Sequence, residues 1–260
     1  MNSSMCLIGL RIDAGGDLLI AANRDEFSDR PTQALHWWKD RDILAGRDLK
    51  AGGTWLGITR NGRFAAVTNV RDPSIHASAV PHASRGLIVK HYLESNGSAH
   101  DHAIQLLNAL TEPSPFNLLL GEIGENHVHC FWLGGRIREL CTLTEGSYVL
   151  SNAELDTPWP KTQALKAALL SRDDAQVMRA MESTSMAADQ DLPVTGVAFA
   201  WEKRLSAALI AGQDYHTRST TWISVNRGQA QVHEITRNSD ASQKSAVREL
   251  FVLQSQPRLV

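Results

Sequence analysis

Apolar and polar residues alternate from the start of the chain. Over residues 6–12, Cys6, Ile8, Leu10 and Ile12 fall on one face and Leu7, Gly9 and Arg11 on the other, the period of a β-strand. AGGD (14–17) supplies a turn and LLIAANRDEF (18–27) a second apolar strand, so the opening element is predicted to be a hairpin. Folding about the Gly15-Gly16 pair sets Cys6 opposite Asp25, and a slip of one residue sets it opposite Arg24. Directly opposed residues share a face. A second hairpin, TWLGITRNGRFAAVTN (54–69), turns at Asn61-Gly62, a pair suited to the positive φ angles of a type I′ turn, with Thr54 facing Asn69. Helical spacing follows in RGLIVKHYLE and HDHAIQLLNAL (85–110), broken at 96–98. FNLLLGEI, NHVHCFWL and GSYVLSN read as strands, and the prolines of PWPKTQALKAALLSR stand where a helix begins. TTWISVN and QAQVHEI close the pattern as a further hairpin. Strands, helices, strands, helices and strands in that order predict an α+β fold of antiparallel sheets covered by helices, with which a four-layer sandwich is compatible.

Composition narrows the classes of function. The 260 residues are 43% hydrophobic, enough for one large core in a single domain. Lys and Arg number 26 against 28 Asp and Glu, without a run of like charge, which argues against nucleic acid and acidic membranes as partners. No basic region precedes the first apolar run, which Arg11 and Asp13 interrupt, and no stretch has the length of a membrane span, so a cytoplasmic setting is expected. Three cysteines, Cys6, Cys130 and Cys141, are too few for a disulfide framework and read as reduced thiols.

The residues with chemistry to offer lie at strand ends. Cys6 by itself reads as a small buried hydrophobe. As an N-terminal residue it would carry a thiol and an α-amine together, and an amine with a pKa of about 7.7 to 8.0 can take the thiol proton. Asn23-Arg24-Asp25-Glu26 ends the strand beside it, either as a solvated strand end or as charges tuning thiol and ammonium. An ammonium and the Arg24 guanidinium are expected to lower the thiol pKa, whereas Cys130 and Cys141, in apolar strands, should react only on unfolding. Ser151-Asn152 ends another strand, where the amide can donate to an oxyanion or form an Asx turn. Arg218, in the polar cluster 215–220, can bind a carboxylate or steady the oxyanion. His127, His129 and Cys130, with Cys141 beyond, invite comparison with zinc ligands, but in a strand Cys130 points away from the two histidines, so no metal is expected. Gly15-Gly16 and GGTWLG lack the setting of a phosphate cradle, and the seven tryptophans read chiefly as core and surface filler.

NRDEF, GGTWLGITRNGRFAAVTN, SRG (84–86), LSNAELDTPWPK and TRSTT resemble the signature blocks of the NRDE family, also called the transport and Golgi organisation 2 family, from Cys6 to about Glu234. The resemblance implies the αββα sandwich of the N-terminal-nucleophile hydrolases, a class that includes cysteine enzymes resembling penicillin and bile-salt acylases. It implies Cys6 as nucleophile, Asp25 or its neighbour Glu26 as acidic residue and Asn152 as oxyanion donor. Asn69 is a weaker oxyanion candidate, and Arg24 and Arg218 are looser matches. The implied reaction is hydrolysis of a non-peptide amide or an acyl thioester without a cofactor. Family members characteristically begin Met-Cys, whereas here MNSS precedes Met5-Cys6. Residues 1–5 are therefore expected to be a processed leader or a mis-assigned start, with 6–260 the domain. The family's ties to haem trafficking and to lipid or acyl-CoA metabolism imply the alternative of a carrier.

Overall fold

The computed structural model describes residues 5–39, 41–72 and 84–254, with the backbone alone at Met5. Most of the expected leader thus lies outside the described residues. One sheet has the strand order β10 (Gly146–Leu150), β1 (Met5–Ile12), β2 (Leu18–Phe27), β11 (Tyr215–Asn226), β12 (Gln229–Arg237), β13 (Gln243–Val252). The other runs β3 (Thr32–Trp37), β4 (Ile43–Asp48), β5 (Leu56–Thr59), β6 (Arg63–Asn69), β7 (Phe116–Ile123), β8 (Val128–Gly134), β9 (Glu139–Leu143). The strand pairs are antiparallel. Ile8, Leu10 and Ile20 of the first sheet meet Ile58, Phe64, Leu119 and Trp132 of the second in a core between them. Helices α1 (Arg85–Glu94) and α2 (Ala99–Ala109) cover the outside of the second sheet. Helices α3 (Pro160–Leu170) and α4 (Asp174–Met181) cover the first, and α5 (Phe199–Leu205) packs near the start of β11. The α+β class with two antiparallel sheets is therefore the observed one.

Local chemistry explains the element ends. The Ser98 side chain accepts from the Asp101 N–H at the start of α2, Asp173 does the same from Ala175 for α4, and Pro160 opens α3. The alternation read over residues 6–12 is a two-sided burial. Ile8 and Leu10 face the other sheet, while Leu7 and Gly9 meet Leu165 and Leu169 of α3. The hairpin at 54–69 departs from its expected turn. Gly62 has φ 81° but Asn61 does not lie in the left-handed region, and Ile58 pairs with Phe64. A three-residue loop with glycine in its bulge position shifts the register by one, so Thr54 is not in line with Asn69. The two-residue form occurs instead at Arg227 (φ 48°) and Gly228 (φ 76°), between β11 and β12.

Candidate active site

The first hairpin resolves its two registers through its loop. Asp13 N–H donates to Asp17 O (2.9 Å) and Gly16 N–H to Asp13 O (3.1 Å), which centres the turn on Gly15 alone. Cys6 then lies opposite Arg24, and Met5 opposite Asp25. By the alternation of β2, Arg24 and Glu26 share the Cys6 face between the sheets, while Asn23 and Asp25 face the helices. None of the four is a solvated strand end, since Asn23, Arg24, Asp25 and Glu26 are all buried. The Arg24 guanidinium lies over the Trp55 ring at 4.3 Å, donates to Thr32 Oγ1 (3.2 Å) and stands 3.6 Å from Glu26 Oε2. Asp25 Oδ1 accepts from Thr217 Oγ1 (2.6 Å), whose oxygen in turn accepts from Ile210 N–H (2.8 Å).

The second half of the site comes from β6 and the segment after β10. Ser151 Oγ donates to the Cys6 carbonyl (3.1 Å), and Thr68 Oγ1 donates to the Ser151 carbonyl (2.7 Å). Asn152 Nδ2 donates to Asn69 O (2.8 Å), and Arg71 N–H donates to Asn152 O (2.8 Å). Asn117 Nδ2 donates to both Thr68 Oγ1 and Ala153 O, and Trp132 Nε1 holds its carbonyl oxygen at 3.1 Å. These bonds join the ends of β6 and β10 and the start of β1, bringing Cys6, Asn69 and Asn152 together. The amide carries two N–H donors and Asn69 O takes one.

Burial sets the protonation states. Cys6 is 5% exposed. Its thiol is pushed up to about 12 by burial and by Asp25, against which Arg24 pulls less strongly. The expected low thiol pKa is therefore not that of the chain continuing into Met5, where the α-nitrogen is an amide and carries no charge. Burial likewise raises the Asp25 carboxyl to about 6, with Lys161 opposing. Lys161 had no place in the reading of the sequence. It lies in the first turn of α3, where a lysine ordinarily reaches solvent, yet here it is buried. Its Nζ donates to Leu205 O (2.9 Å), and burial lowers it to about 8 although Asp25 holds it up. A buried ion pair between Arg71 Nη1 and Glu202 Oε2 (2.9 Å) adjoins it.

Arg218 is engaged with backbone carbonyls. It occupies a bulge in β11 between Thr217 and Ser219, and its Nη1 donates to the carbonyls of Phe27 (2.7 Å), Ser28 (3.3 Å) and Arg30 (3.2 Å). Its guanidinium thus clamps the turn after β2. Among the cysteines, Cys130 is fully buried, but Cys141 is only half-buried on the edge strand β9, donating to Glu139 Oε1, so it is not sealed until unfolding. The rings of His127 and His129 stand 4.6 Å apart, while Cys130 packs in the core between the sheets, so these residues diverge. Among the described residues no helix is long and apolar enough to cross a membrane.

Comparison with known proteins adds the following. A family model for Transport and Golgi organisation 2 matches residues 5–241. The mouse and human proteins of that name are each 34% identical over 169 residues, 60% of this chain and 60% of theirs. The match thus spans about 60% of the length of those relatives. A mutant conjugated bile acid hydrolase from Clostridium perfringens has a TM-score of 0.49 at 10% identity, covering 98% of this chain and 99% of that one.

Proposed function

Because the chain belongs to the transport and Golgi organisation 2 family, we propose that it is a cytoplasmic cysteine hydrolase of the N-terminal-nucleophile type on an αββα sandwich, cleaving a non-peptide amide or an acyl thioester once residues 1–5 are removed. The observation that carries this reading is the convergence of Cys6 with Asn69 and Asn152 through the Ser151 and Asn152 hydrogen bonds. These bonds tie the strand that carries Cys6 to the strand ends that carry the two asparagines.

In the reaction, the freed α-amine of Cys6 takes the thiol proton and the thiolate attacks the acyl carbonyl. Asn152, aided by Asn69, donates to the oxyanion, a contribution of about 3 kcal/mol where comparable donors have been deleted. The ammonium returns its proton to the departing amine or thiol. Water, deprotonated by the same amine, then cleaves the thioester to release the acid and restore Cys6. Arg24 stands across from Cys6 to favour the thiolate, and Asp25 supports the ammonium. Arg218 acts by holding the turn after β2.

The test compares the full chain with one beginning at Cys6. Iodoacetamide at pH 8 should alkylate Cys6 at least about 100-fold faster in the shorter chain, since thiolate fraction governs the rate. That chain should hydrolyse members of an N-acyl amide and acyl thioester panel, and Asn152→Ala should lower turnover by about 100-fold while leaving the fold intact. Equal alkylation rates, or hydrolysis that survives Cys6→Ala, would defeat the reading. One observation favours a second reading, as a carrier of haem or of lipid or acyl-CoA: with Met5 in place the Cys6 thiol is buried and protonated at neutral pH. Haem titration with unchanged affinity in Cys6→Ala, together with no turnover in either chain, would support it.

A further inference from the structure

Arg85 lies beside Gly86, which is hydrogen-bonded to Thr54, the neighbour of the Trp55 whose ring underlies the Arg24 guanidinium opposite Cys6, yet it has no task in the reaction above. It is the first residue of α1, and its position is built with care. Thr54 N–H donates to Gly86 O (3.1 Å), and Gly53 packs so tightly on Gly86 that a Cβ there would lie 2.4 Å from the Gly86 carbonyl carbon. The GGTW and SRG blocks therefore exist as a contact between two glycines, and what that contact fixes is the root of the Arg85 side chain.

The surrounding charges are already engaged. Asp48 takes two bonds from Arg30, at Nε (3.0 Å) and Nη2 (2.6 Å). Glu26 faces Arg24 at 3.6 Å and accepts from the Phe27 N–H, with Arg30 at 3.9 Å. Glu234 also faces Arg24, but it is held by Leu35 N–H and Thr221 Oγ1, and burial pushes it toward neutrality. Arg218 is held on the carbonyls of Phe27, Ser28 and Arg30. Three guanidiniums, Arg24, Arg30 and Arg85, thus address two committed carboxylates. Among the described residues Arg85 has neither a hydrogen bond nor an ion pair, although it is partly desolvated. A guanidinium offers five donors in a planar fork that fits an oxyanion group, and half-buried Arg85 keeps its nitrogens open to an incoming ligand.

We propose that Arg85 is the anion-recognition residue of the Cys6 site, receiving a carboxylate or phosphate carried by the acyl substrate. The inference rests on the hydrolase reading for the fate of that substrate, but its binding half stands apart from turnover. Arg85 fixes the charged end by a forked contact while the acyl carbonyl reaches Cys6, so an uncharged analogue is the poorer ligand.

The experiment uses N-octanoylglycine and its uncharged amide, N-octanoylglycinamide. In calorimetry with full-length Cys6→Ala protein, the carboxylate should bind at least about 10-fold more tightly than the amide, and adding Arg85→Gln should bring the two together, with Arg85→Lys between. In the chain beginning at Cys6, the same ratio should appear in kcat/KM and collapse with Arg85→Gln. Octyl phosphate, titrated in parallel, distinguishes the source: tighter binding than the carboxylate assigns a phosphate, weaker binding a carboxylate. Among the described residues the Arg85 side chain has no hydrogen bond to lose, so folding of both variants is expected, and their melting curves check it. Equal affinity for charged and neutral probes, or a preference that Arg85→Gln leaves intact, overturns the inference even if both are hydrolysed. A charge preference in binding without turnover upholds it while removing the hydrolase reading.

Discussion

At the scale of single residues, Asp25 and Lys161 are an acid and a base held against their preferences in a buried layer. Asp25 is raised to about 6 from an unfolded value of about 3.9. Below pH about 4 both states of the protein carry the proton, and the stability this group contributes is fully present; it is lost as pH rises from about 4 to about 6. Lys161 has the opposite sign. Its folded value, lowered to about 8, makes its contribution complete above the unfolded value of about 10.4 and lost as pH falls from there through about 8. The two groups together place their smallest contribution between about pH 6 and 8, where both are charged. Asp25→Asn should therefore flatten the fall in unfolding free energy between pH 4 and 6, measured by urea titration at a series of pH values. It should also lower the Lys161 pKa further, because the carboxylate that holds the ammonium is gone. A wild-type protein that gains stability across that interval would contradict the assignment.

At the scale of elements, the site depends on how turns and termini are pinned. The contact between Gly53 and Gly86 joins the entrance of β5 to the first turn of α1, and both backbones approach too closely for a side chain. Gly53→Ala should destabilise the protein by about 1 to 3 kcal/mol, the usual cost of overpacking, by shifting the start of α1. If Arg85 reads an anion, the same substitution should also reduce the preference for N-octanoylglycine. Urea midpoints, with m-values to confirm an unchanged unfolding transition, check the first effect; a neutral Gly53→Ala would show that the contact yields freely. The bulge in β11 has a comparable role, because the extra residue turns Arg218 onto three carbonyls of the β2–β3 turn instead of leaving it in the ladder.

At the scale of the molecule, the two sheets share one core and the candidate site closes one end of it. Leu119, Phe64 and Trp132 from one sheet pack with Ile8 and Ile20 from the other, so removal of side-chain volume there weakens the contact between the strands that carry Cys6 and Asn69. Leu119→Ala should cost about 2 to 5 kcal/mol. Tryptophan fluorescence and far-ultraviolet circular dichroism should still report a single coincident transition. Separate transitions would mean that the sheets unfold independently.

Much of this was legible in the residues themselves. The two-residue period at 6–12 and 18–27, the glycine at 62 and the prolines before α3 identified elements because local sterics and alternating burial act within a few residues. The strands β3, β4, β9 and β13 were not legible: β3, β9 and β13 lie at sheet edges, and β4 is short and buried on both faces, so none carries a clear alternation between core and solvent. For the site, the strand-end cluster NRDE and the Ser151-Asn152 pair stood out as polar groups beside apolar runs, and the family followed from those blocks. The register that sets Arg24 rather than Asp25 across from Cys6 depended on one residue in a loop. Burial was beyond any local pattern. The raised Cys6 thiol and the lowered Lys161 amine arise because segments far apart in the chain exclude water from one place, and desolvation belongs to the whole fold.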